Sequence, residues 1–175
     1  IGYRYYLAGD VKTAIEYFRK AVELRPLDAD RWSSLGGLYL TAGDNAAAAK
    51  ALERSLAIVP NYAALGNLGE IRYQEGAYGE AAALYRKALA LDPSDFMMWG
   101  NLGEVLLADP VNADQARRAF EEASKRAQRY IEIKSSDAKA IAAFGWYRSN
   151  TGQTAQARES IRRSEALEGE PGEVA

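Results

Sequence analysis

The sequence contains no histidine and no cysteine. Zinc, haem and iron–sulfur sites built on imidazole or thiolate ligands are therefore excluded. The Ser-His-Asp and Cys-His arrangements of nucleophilic catalysis are excluded for the same reason. We expect a chain that is not an enzyme and that uses no cofactor and no metal. The absence of cysteine leaves the compartment undecided; we favour the cytoplasm and keep the periplasm as the alternative.

Long apolar runs and a strong net charge are also absent. No apolar stretch approaches the roughly 20 residues that a membrane-spanning helix needs, so we expect no membrane span. The 22 basic and 24 acidic residues give a net charge of −2. The densest basic stretch, from Arg117 to Arg129, contains Glu121 and Glu122 at helical spacing, which indicates a salt-bridged helix face. We therefore expect no nucleic-acid partner.

The residues that are present favour helices. Hydrophobic residues make up 48% and charged residues 26% of the chain, as in folded proteins. Alanine is frequent and β-branched residues are scarce. Because alanine has the highest helix propensity, the composition predicts an all-α protein.

Glycines recur at a fixed interval along the chain. Gly9, Gly43 and Gly76 each close an apolar helical segment and are separated by 34 and 33 residues, and Gly152 closes a later segment. After each of the first three comes the same order of an alanine, a bulky residue and a proline, given by Ala14, Phe18 and Pro26, by Ala48, Leu52 and Pro60, and by Ala81, Tyr85 and Pro93. Such a period is typical of repeated helical hairpins.

A second pattern lies before each of these glycines. Trp32, Leu35, Gly36 and Tyr39 are spaced i, i+3, i+4 and i+7, which places them on one helix face. The face returns as Leu65, Leu68, Gly69 and Tyr73, as Trp99, Leu102, Gly103 and Leu106, and as Ile141, Phe144, Gly145 and Arg148. Tyr73 stands one place late, and Arg148 departs from the pattern.

From Trp32 to Pro60 the sequence resembles the tetratricopeptide signature, W-x2-L-G-x2-Y followed by A-x3-F and P at about 34 residues. The resemblance covers nearly the whole chain. It implies an all-α, right-handed superhelical solenoid of antiparallel helix hairpins.

The roles of the small residues follow from general physical principles, independently of the resemblance to the family. A glycine within a helix costs about 1 kcal/mol relative to alanine, so the glycines in mid-helix need a compensating close contact. We expect Gly36, Gly69, Gly103 and Gly145 to face Ala48, Ala81, Ala116 and Ala157. The turn glycines predict helix C-caps with positive φ, and Asp10 and Asp44 predict N-caps. The prolines predict the ends of the second helices.

We predict one domain over residues 1–175. Its repeats span about 1–28, which is partial, then 29–61, 62–95, 96–137 and 138–168, with 169–175 as a linker or the start of a further repeat. The stretch after Leu167 is predicted to be an inter-repeat turn instead of a polar cap. Material missing at both ends predicts a piece of a longer protein.

The fourth repeat is longer than the others, because Gly103 and Gly145 are 42 residues apart. One extra residue falls in the turn 108–114, and seven extend the second helix to near Lys134. The apolar stripe Ala116, Phe120, Ala123, Ala127 and Tyr130 then stays on one side. Two interpretations remain: Tyr130, Ile131 and Ile133 pack on a neighbouring helix, or they form a protruding surface for a partner or a second copy.

The resemblance implies that the first helix of each hairpin lines a concave, ligand-binding side. Twelve residues on these helices are therefore predicted to bind a peptide: Tyr3, Tyr6, Asn67, Glu70, Tyr73, Gln74, Met97, Asn101, Glu104, Lys139, Trp146 and Asn150. Leu107 and Ser149 lie on the same faces.

Two features of this set bear on the ligand. Asn67 and Asn101 precede a Leu-Gly pair, where some tetratricopeptide proteins use an asparagine ladder, and an amide both donates to and accepts from a peptide bond. Ser34 and Ala143 interrupt the ladder. Only Lys139 is basic, so we do not expect a clamp for a C-terminal carboxylate. The carboxylates and aromatic rings predict a basic or apolar partner. Tyr5, Tyr39 and Tyr85 are expected to serve packing alone.

Three hypotheses for function follow. The first is a protein-interaction scaffold that binds a peptide segment of a partner on its concave face. The second is an accessory region of a larger enzyme or regulator, because the long fourth repeat resembles repeat regions attached to bacterial kinases, transcription regulators, glycosyltransferases and secretion or pilus assembly proteins. The third is a homo-oligomer formed through the extended helix near Tyr130.

Overall fold

A computed structural model describes residues 1–169, and all regular structure within them is helical. The helices are α1 Gly2–Leu7, α2 Val11–Leu24, α3 Ala29–Thr41, α4 Asn45–Ile58, α5 Tyr62–Gln74, α6 Tyr78–Leu91, α7 Phe96–Leu107, α8 Ala113–Ile133, α9 Ala138–Asn150 and α10 Thr154–Gly169, with a single 3₁₀ turn at Pro110–Asn112. Helix α10 continues two residues past Leu167, and residues 170–175 of the predicted linker lie outside the described residues.

Consecutive helices pair as antiparallel hairpins, α1 with α2 through α9 with α10. The prediction of an all-α array of helix hairpins is confirmed. The chain divides into two compact units, Ile1–Asp92 and Pro93–Ala175. Within each unit, the second helix of one hairpin packs on the first helix of the next.

In four of the five hairpins within residues 1–169, the turn contains a glycine that has positive φ. Gly9, Gly43, Gly76 and Gly152 have φ between 76° and 81°, a region that L side chains disfavour. This confirms the predicted positive φ at the helix ends, with each glycine directly after the C-cap residue, which is Ala8, Ala42, Glu75 or Thr151.

Both aspartates that were predicted to be N-caps have that role. The side chain of Asp10 accepts a hydrogen bond from the backbone N–H of Thr13, and that of Asp44 accepts one from Ala47. Each second helix of the first three hairpins ends two residues before its proline, as expected.

The first helices carry a second set of N-caps that the sequence analysis missed. The side chains of Asp28, Asn61, Asp95 and Asp137 each accept a hydrogen bond from a backbone N–H in the first turn that follows. Each cap satisfies one of the N–H groups that a helix leaves unpaired at its start. A signal was present in the sequence, because the first three of these residues stand one or two places after the turn prolines.

Most of the mid-helix glycines make room for a large side chain on the second helix of the hairpin. The predicted alanine is not their nearest neighbour. A Cβ at Gly69 would lie 2.6 Å from Cε1 of Tyr85, and one at Gly103 would lie 2.8 Å from Cε1 of Phe120. In the second hairpin the side chain of Leu52 comes as close to Gly36. At Gly69 and Gly103 the nearest atoms belong to these rings instead of the predicted alanine, whereas at Gly36 the carbonyl oxygen of the predicted Ala48 also lies 3.4 Å from the Cβ position. At Gly145 the carbonyl oxygen of Ala157 and Cγ1 of Ile161 are equally near, at 3.1 Å. The expectation of alanine opposite glycine therefore holds in part at Gly36 and Gly145.

Each unit has its own apolar core. In residues 1–92, a cluster of Ala48, Leu52, Ala64, Leu68 and Ile71 joins α4 to α5, and a smaller one of Val22, Leu35 and Ala51 joins α2 to the second hairpin. In the unit that begins at Pro93, the core joins α8 to α9 through Phe120, Ala123, Ala127, Ile131, Ala140, Ile141, Phe144 and Tyr147. Burying one such large side chain contributes about 1.5–3 kcal/mol.

The extended helix α8 ends at Ile133, close to the predicted end. The residues of its last turn agree in part with each of the two interpretations of the apolar stripe. Ile131 belongs to the core, whereas Ile133 is 82% exposed. Tyr130 is 38% exposed, although its ring packs on Phe96 and its hydroxyl donates to Asp137 Oδ2 over 3.0 Å.

The basic stretch of α8 is salt-bridged only in part. Arg117 pairs with Glu121 at 3.0 Å, and Arg126 pairs with Glu122. Arg118, Lys125 and Arg129 form no ion pair within 4 Å among residues 1–169.

Candidate functional site

The first group of predicted binding residues lies in the unit of residues 1–92. The rings of Tyr3 and Tyr6 on α1 have centroids 6.1 Å apart, and Tyr3 is 61% exposed. Both rings line a cavity of about 240 Å³, together with Gly37 on α3. The rest of the wall consists of Phe18, Ser34, Leu38 and Thr41. A mainly apolar cavity of this size suits one apolar side chain.

Asn67 on α5 lies beside α3. A Cβ at Gly37 would be 3.8 Å from its Nδ2 atom, so Asn67 is the nearest neighbour of the α3 backbone at this point. Because Gly37 has no side chain, nothing on α3 covers the amide from that position. Asn67 is partly buried.

Glu70 and Gln74 belong to a hydrogen-bonded chain across three helices. Gln74 Nε2 donates to Glu70 Oε1 over 2.8 Å, and Asn45 Nδ2 on α4 donates to Gln74 Oε1 over 2.9 Å. The buried Tyr85 donates its hydroxyl to Glu70 Oε2 over 3.4 Å. The sequence analysis missed Asn45, because this residue lies on a second helix and outside the signature.

Tyr73 lies at the end of α5 with its ring 5.7 Å from that of Tyr78 on α6. Tyr5, which was expected to serve packing, stacks on Tyr17 at 5.3 Å but remains more exposed than the buried Tyr85. The pKa of Tyr5 is raised, mainly by the neighbouring Tyr17 hydroxyl.

The second group lies in the unit that begins at Pro93. The indole Nε1 of Trp146 on α9 donates to Glu104 Oε1 on α7 over 3.2 Å, although Trp146 remains 49% exposed. Asn150 Nδ2 donates to the backbone carbonyl of Trp146 over 2.9 Å. Three predicted residues from two helices therefore meet at one place. Met97, at the other end of α7, is 56% exposed.

A glycine that was not singled out brings α7 and α9 together. A Cβ at Gly100 would lie 2.5 Å from Cε1 of Tyr147, so only glycine leaves space for this ring. Burial raises the pKa of Tyr147, and the carboxylates of Glu104 and Asp95 raise it further. This close packing places Glu104 within reach of the indole of Trp146. Gly100 lies directly before Asn101, at a position outside the repeat signature. The signature therefore could not have identified it.

Asn101 is partly buried and Lys139 is exposed. Asn67 and Asn101 belong to different units. The asparagine ladder therefore stays a prediction.

Among residues 1–169, no group of three or more histidine, cysteine, aspartate or glutamate side chains could hold a metal ion. Within the same range, no helix combines the length and the apolar character needed to cross a membrane.

Hairpins of paired antiparallel helices define a helical-repeat protein. Within residues 1–169, four of the five hairpins have a glycine of positive φ in the turn, and in three a mid-helix glycine packs on a large side chain. The chain belongs to the tetratricopeptide repeat family, whose model matches residues 1–63, 35–96 and 67–123. This family is one of protein-interaction scaffolds and is in general non-enzymatic.

Curated relatives match parts of the chain. The BBSome complex member BBS4 of Bos taurus is 31% identical over 104 residues, which is 59% of this chain and 20% of that protein. The protein O-mannosyl-transferase TMTC1 of Homo sapiens is 36% identical over 73 residues, which is 42% of this chain and 8% of that protein. The chain thus spans at most a fifth of the length of these relatives.

Solved structures match nearly the whole chain. A crystal structure of MamA has a TM-score of 0.69 at 21% identity, and the alignment covers 96% of this chain and 94% of the MamA chain. PilF of Pseudomonas aeruginosa has a TM-score of 0.72 at 22% identity, and the alignment covers 97% of this chain and 74% of the PilF chain. At this level of identity the likeness concerns the fold.

Proposed function

We propose that this chain is a binding scaffold whose first helices hold a peptide segment of a partner protein. The observation that carries the proposal is the exposure of aromatic and apolar side chains on these helices beside carboxylates and amides. Tyr3, Tyr6, Met97 and Trp146 all keep a large part of their surface in water. Burying apolar surface is favourable, so these side chains are available to a ligand without repacking of either core.

In the unit of residues 1–92, the ligand places an apolar side chain in the cavity beside Tyr3 and Tyr6. Its main chain runs past Asn67, where an amide can donate to and accept from a peptide bond whatever the ligand sequence. The carboxylate of Glu70, held by Gln74 and Tyr85, favours a basic residue at the next position.

In the unit that begins at Pro93, the ligand contacts the indole of Trp146 together with Glu104. A Lys or Arg side chain can lie on the exposed indole face and reach the carboxylate, which combines a cation–π contact with an ion pair. Asn101 supplies the main-chain contact there, as Asn67 does in the first unit. Each unit therefore favours a segment that carries both basic and apolar residues.

A blocked peptide library screened on the full chain tests this proposal. Binders should be basic and apolar, and Asn67→Ala plus Asn101→Ala should weaken them by roughly tenfold or more, because each lost pair of amide hydrogen bonds contributes on the order of 1 kcal/mol. Gln156→Ala, which removes an exposed amide from a second helix, serves as the matched control and should leave affinity unchanged. Unchanged affinity in the double variant would remove the assignment of the first helices as the binding face.

The alternative is an accessory region of a larger enzyme or regulator. It is favoured by the small part of each relative's length that the chain matches. One of them is named a transferase, and the chain covers 8% of it. The complete reading frame decides this alternative, since a catalytic domain encoded beside the repeats would support it.

A further inference from the structure

Arg148 on α9 has no counter-charge among residues 1–169. It is partly buried, its Nε atom is fully buried without an acceptor, and its guanidinium carbon lies 4.0 Å from the centroid of the Phe144 ring. No described residue forms an ion pair with it within 4 Å. A buried donor without a partner costs roughly 1–3 kcal/mol and needs an explanation.

The equivalent arginine of the third hairpin is fully paired. Arg72 stands three residues after Gly69, as Arg148 stands three residues after Gly145. Its guanidinium contacts three carboxylates, Glu53 at 2.8 Å, Glu75 at 2.7 Å and Glu80 at 3.2 Å. The same packing position therefore tolerates an arginine when carboxylates surround it.

The fifth hairpin lacks those carboxylates. Thr151 and Gln156 stand three and eight residues after Arg148, where Glu75 and Glu80 stand after Arg72. Helix α8, which precedes α9, presents Gln128 and Glu132 to the same place. Glu132 is exposed and lies too far from Arg148 for an ion pair.

A cavity of about 340 Å³ opens at this arginine. Arg163 on α10 also lines it, and its Nη2 atom donates to the backbone carbonyl of Ser135 over 2.6 Å, without a carboxylate partner among the described residues. Two guanidinium groups and the carboxylate of Glu132 leave the wall with one excess positive charge. A wall of this charge suits a monoanion, and the planar guanidinium suits a carboxylate.

We propose that this cavity binds a carboxylate of a partner polypeptide, between Arg148 and Arg163 and beside the ring of Phe144. The site shares no residue with the peptide-binding faces proposed above and does not depend on them. The incoming carboxylate supplies the counter-charge that Glu53, Glu75 and Glu80 supply to Arg72. Glu132 competes with it and so limits the affinity.

NMR titration of the full chain, observed at the arginine Nε–Hε resonances, tests the site. The probes are a blocked pentapeptide with one central glutamate, its glutamine counterpart, and the glutamine peptide with a free C-terminus. We expect saturable shifts at Arg148 and Arg163 with a Kd on the order of 1 mM for a carboxylate probe. The two carboxylate peptides distinguish a side chain from a chain terminus as the source.

Variants give the second part of the test. Arg163→Gln should weaken binding several-fold and Arg148→Gln by about tenfold, because each removes a charge-assisted hydrogen bond. Glu132→Gln should tighten binding. Arg162→Gln, at the adjacent exposed position of α10, is the matched control and should change nothing. If Arg148→Gln fails to fold, Arg163→Gln and Glu132→Gln decide.

Three results would overturn the proposal. They are the absence of a saturable shift with either carboxylate peptide, equal shifts with the blocked glutamine peptide, and binding that is unchanged in Arg163→Gln. Inorganic phosphate that binds as tightly as the peptides would overturn the assignment to a carboxylate.

Discussion

The ring of Tyr85 occupies the space in which a side chain at Gly69 would begin, since a Cβ there would lie 2.6 Å from the ring atom Cε1. The same relationship joins Gly103 to Phe120 and, with a leucine, Gly36 to Leu52. The two helices of a hairpin are therefore locked by a glycine on one and a large side chain four residues after an alanine on the other.

Gly69→Ala should destabilise the chain. Overpacking costs about 1–3 kcal/mol, and the higher helix propensity of alanine returns up to about 1 kcal/mol, which leaves a net loss of about 1–2 kcal/mol in the free energy of unfolding. Gly79→Ala is the matched control in α6, where a Cβ meets no atom within 4 Å. It should be neutral or stabilise by up to about 1 kcal/mol. Equilibrium unfolding in urea measures both, and equal effects would contradict the packing role.

Asn61→Ala should cost about 1–2 kcal/mol, because Asn61 joins two hairpins as well as capping α5. Its Oδ1 accepts from the backbone N–H of Ala64 and from the hydroxyl of Ser33, and its Nδ2 donates to Asp30 Oδ1 over 2.9 Å. Asn61→Ser keeps a cap and loses the bonds to α3, so it should cost less. Thermal and urea unfolding compare the two variants. An equal cost would mean that the bonds to α3 alone matter and that the cap contributes nothing.

Acid should destabilise the protein through its N-cap aspartates. The pKa of Asp137 is lowered mainly by the backbone N–H of Ala140, and that of Asp10 mainly by hydrogen bonding to the Thr13 side chain. A carboxyl whose folded pKa is depressed contributes stability above its unfolded pKa, near pH 4, and loses it as the pH falls through the folded value. The free energy of unfolding should therefore fall below about pH 4. Asp10→Asn plus Asp137→Asn keeps both caps and should weaken this pH dependence.

If the end of α8 mediates self-association, Ile133→Asp should convert an oligomer to a monomer. Ile133 is 82% exposed, so the substitution leaves the core intact. Tyr130→Asp is a poorer probe on its own, because Tyr130 packs on Phe96 and bonds to Asp137. Sedimentation of the wild type against Ile133→Asp decides, and Tyr130→Asp plus Ile133→Asp extends the test. Equal masses for all three chains would eliminate this interface.

The sequence determined the elements of this protein by local rules. A glycine with positive φ ends a helix, an aspartate begins the next, and a proline two residues beyond the end prevents further helix. Each of these effects acts within a few residues, so the pattern at Gly43, Asp44 and Pro60 predicts a hairpin without knowledge of its neighbours. The length of α8 followed in the same way from counting residues.

Only the tertiary structure decided which side chains meet. The pattern placed Ala48 opposite Gly36, but the longer side chain of Leu52 reaches the glycine first. It gave no sign that Trp146 would donate to Glu104, or that the Nε atom of Arg148 would be buried without an acceptor among the described residues. These contacts join residues tens of positions apart, and they depend on how helices approach one another in space, which a period in the sequence does not encode.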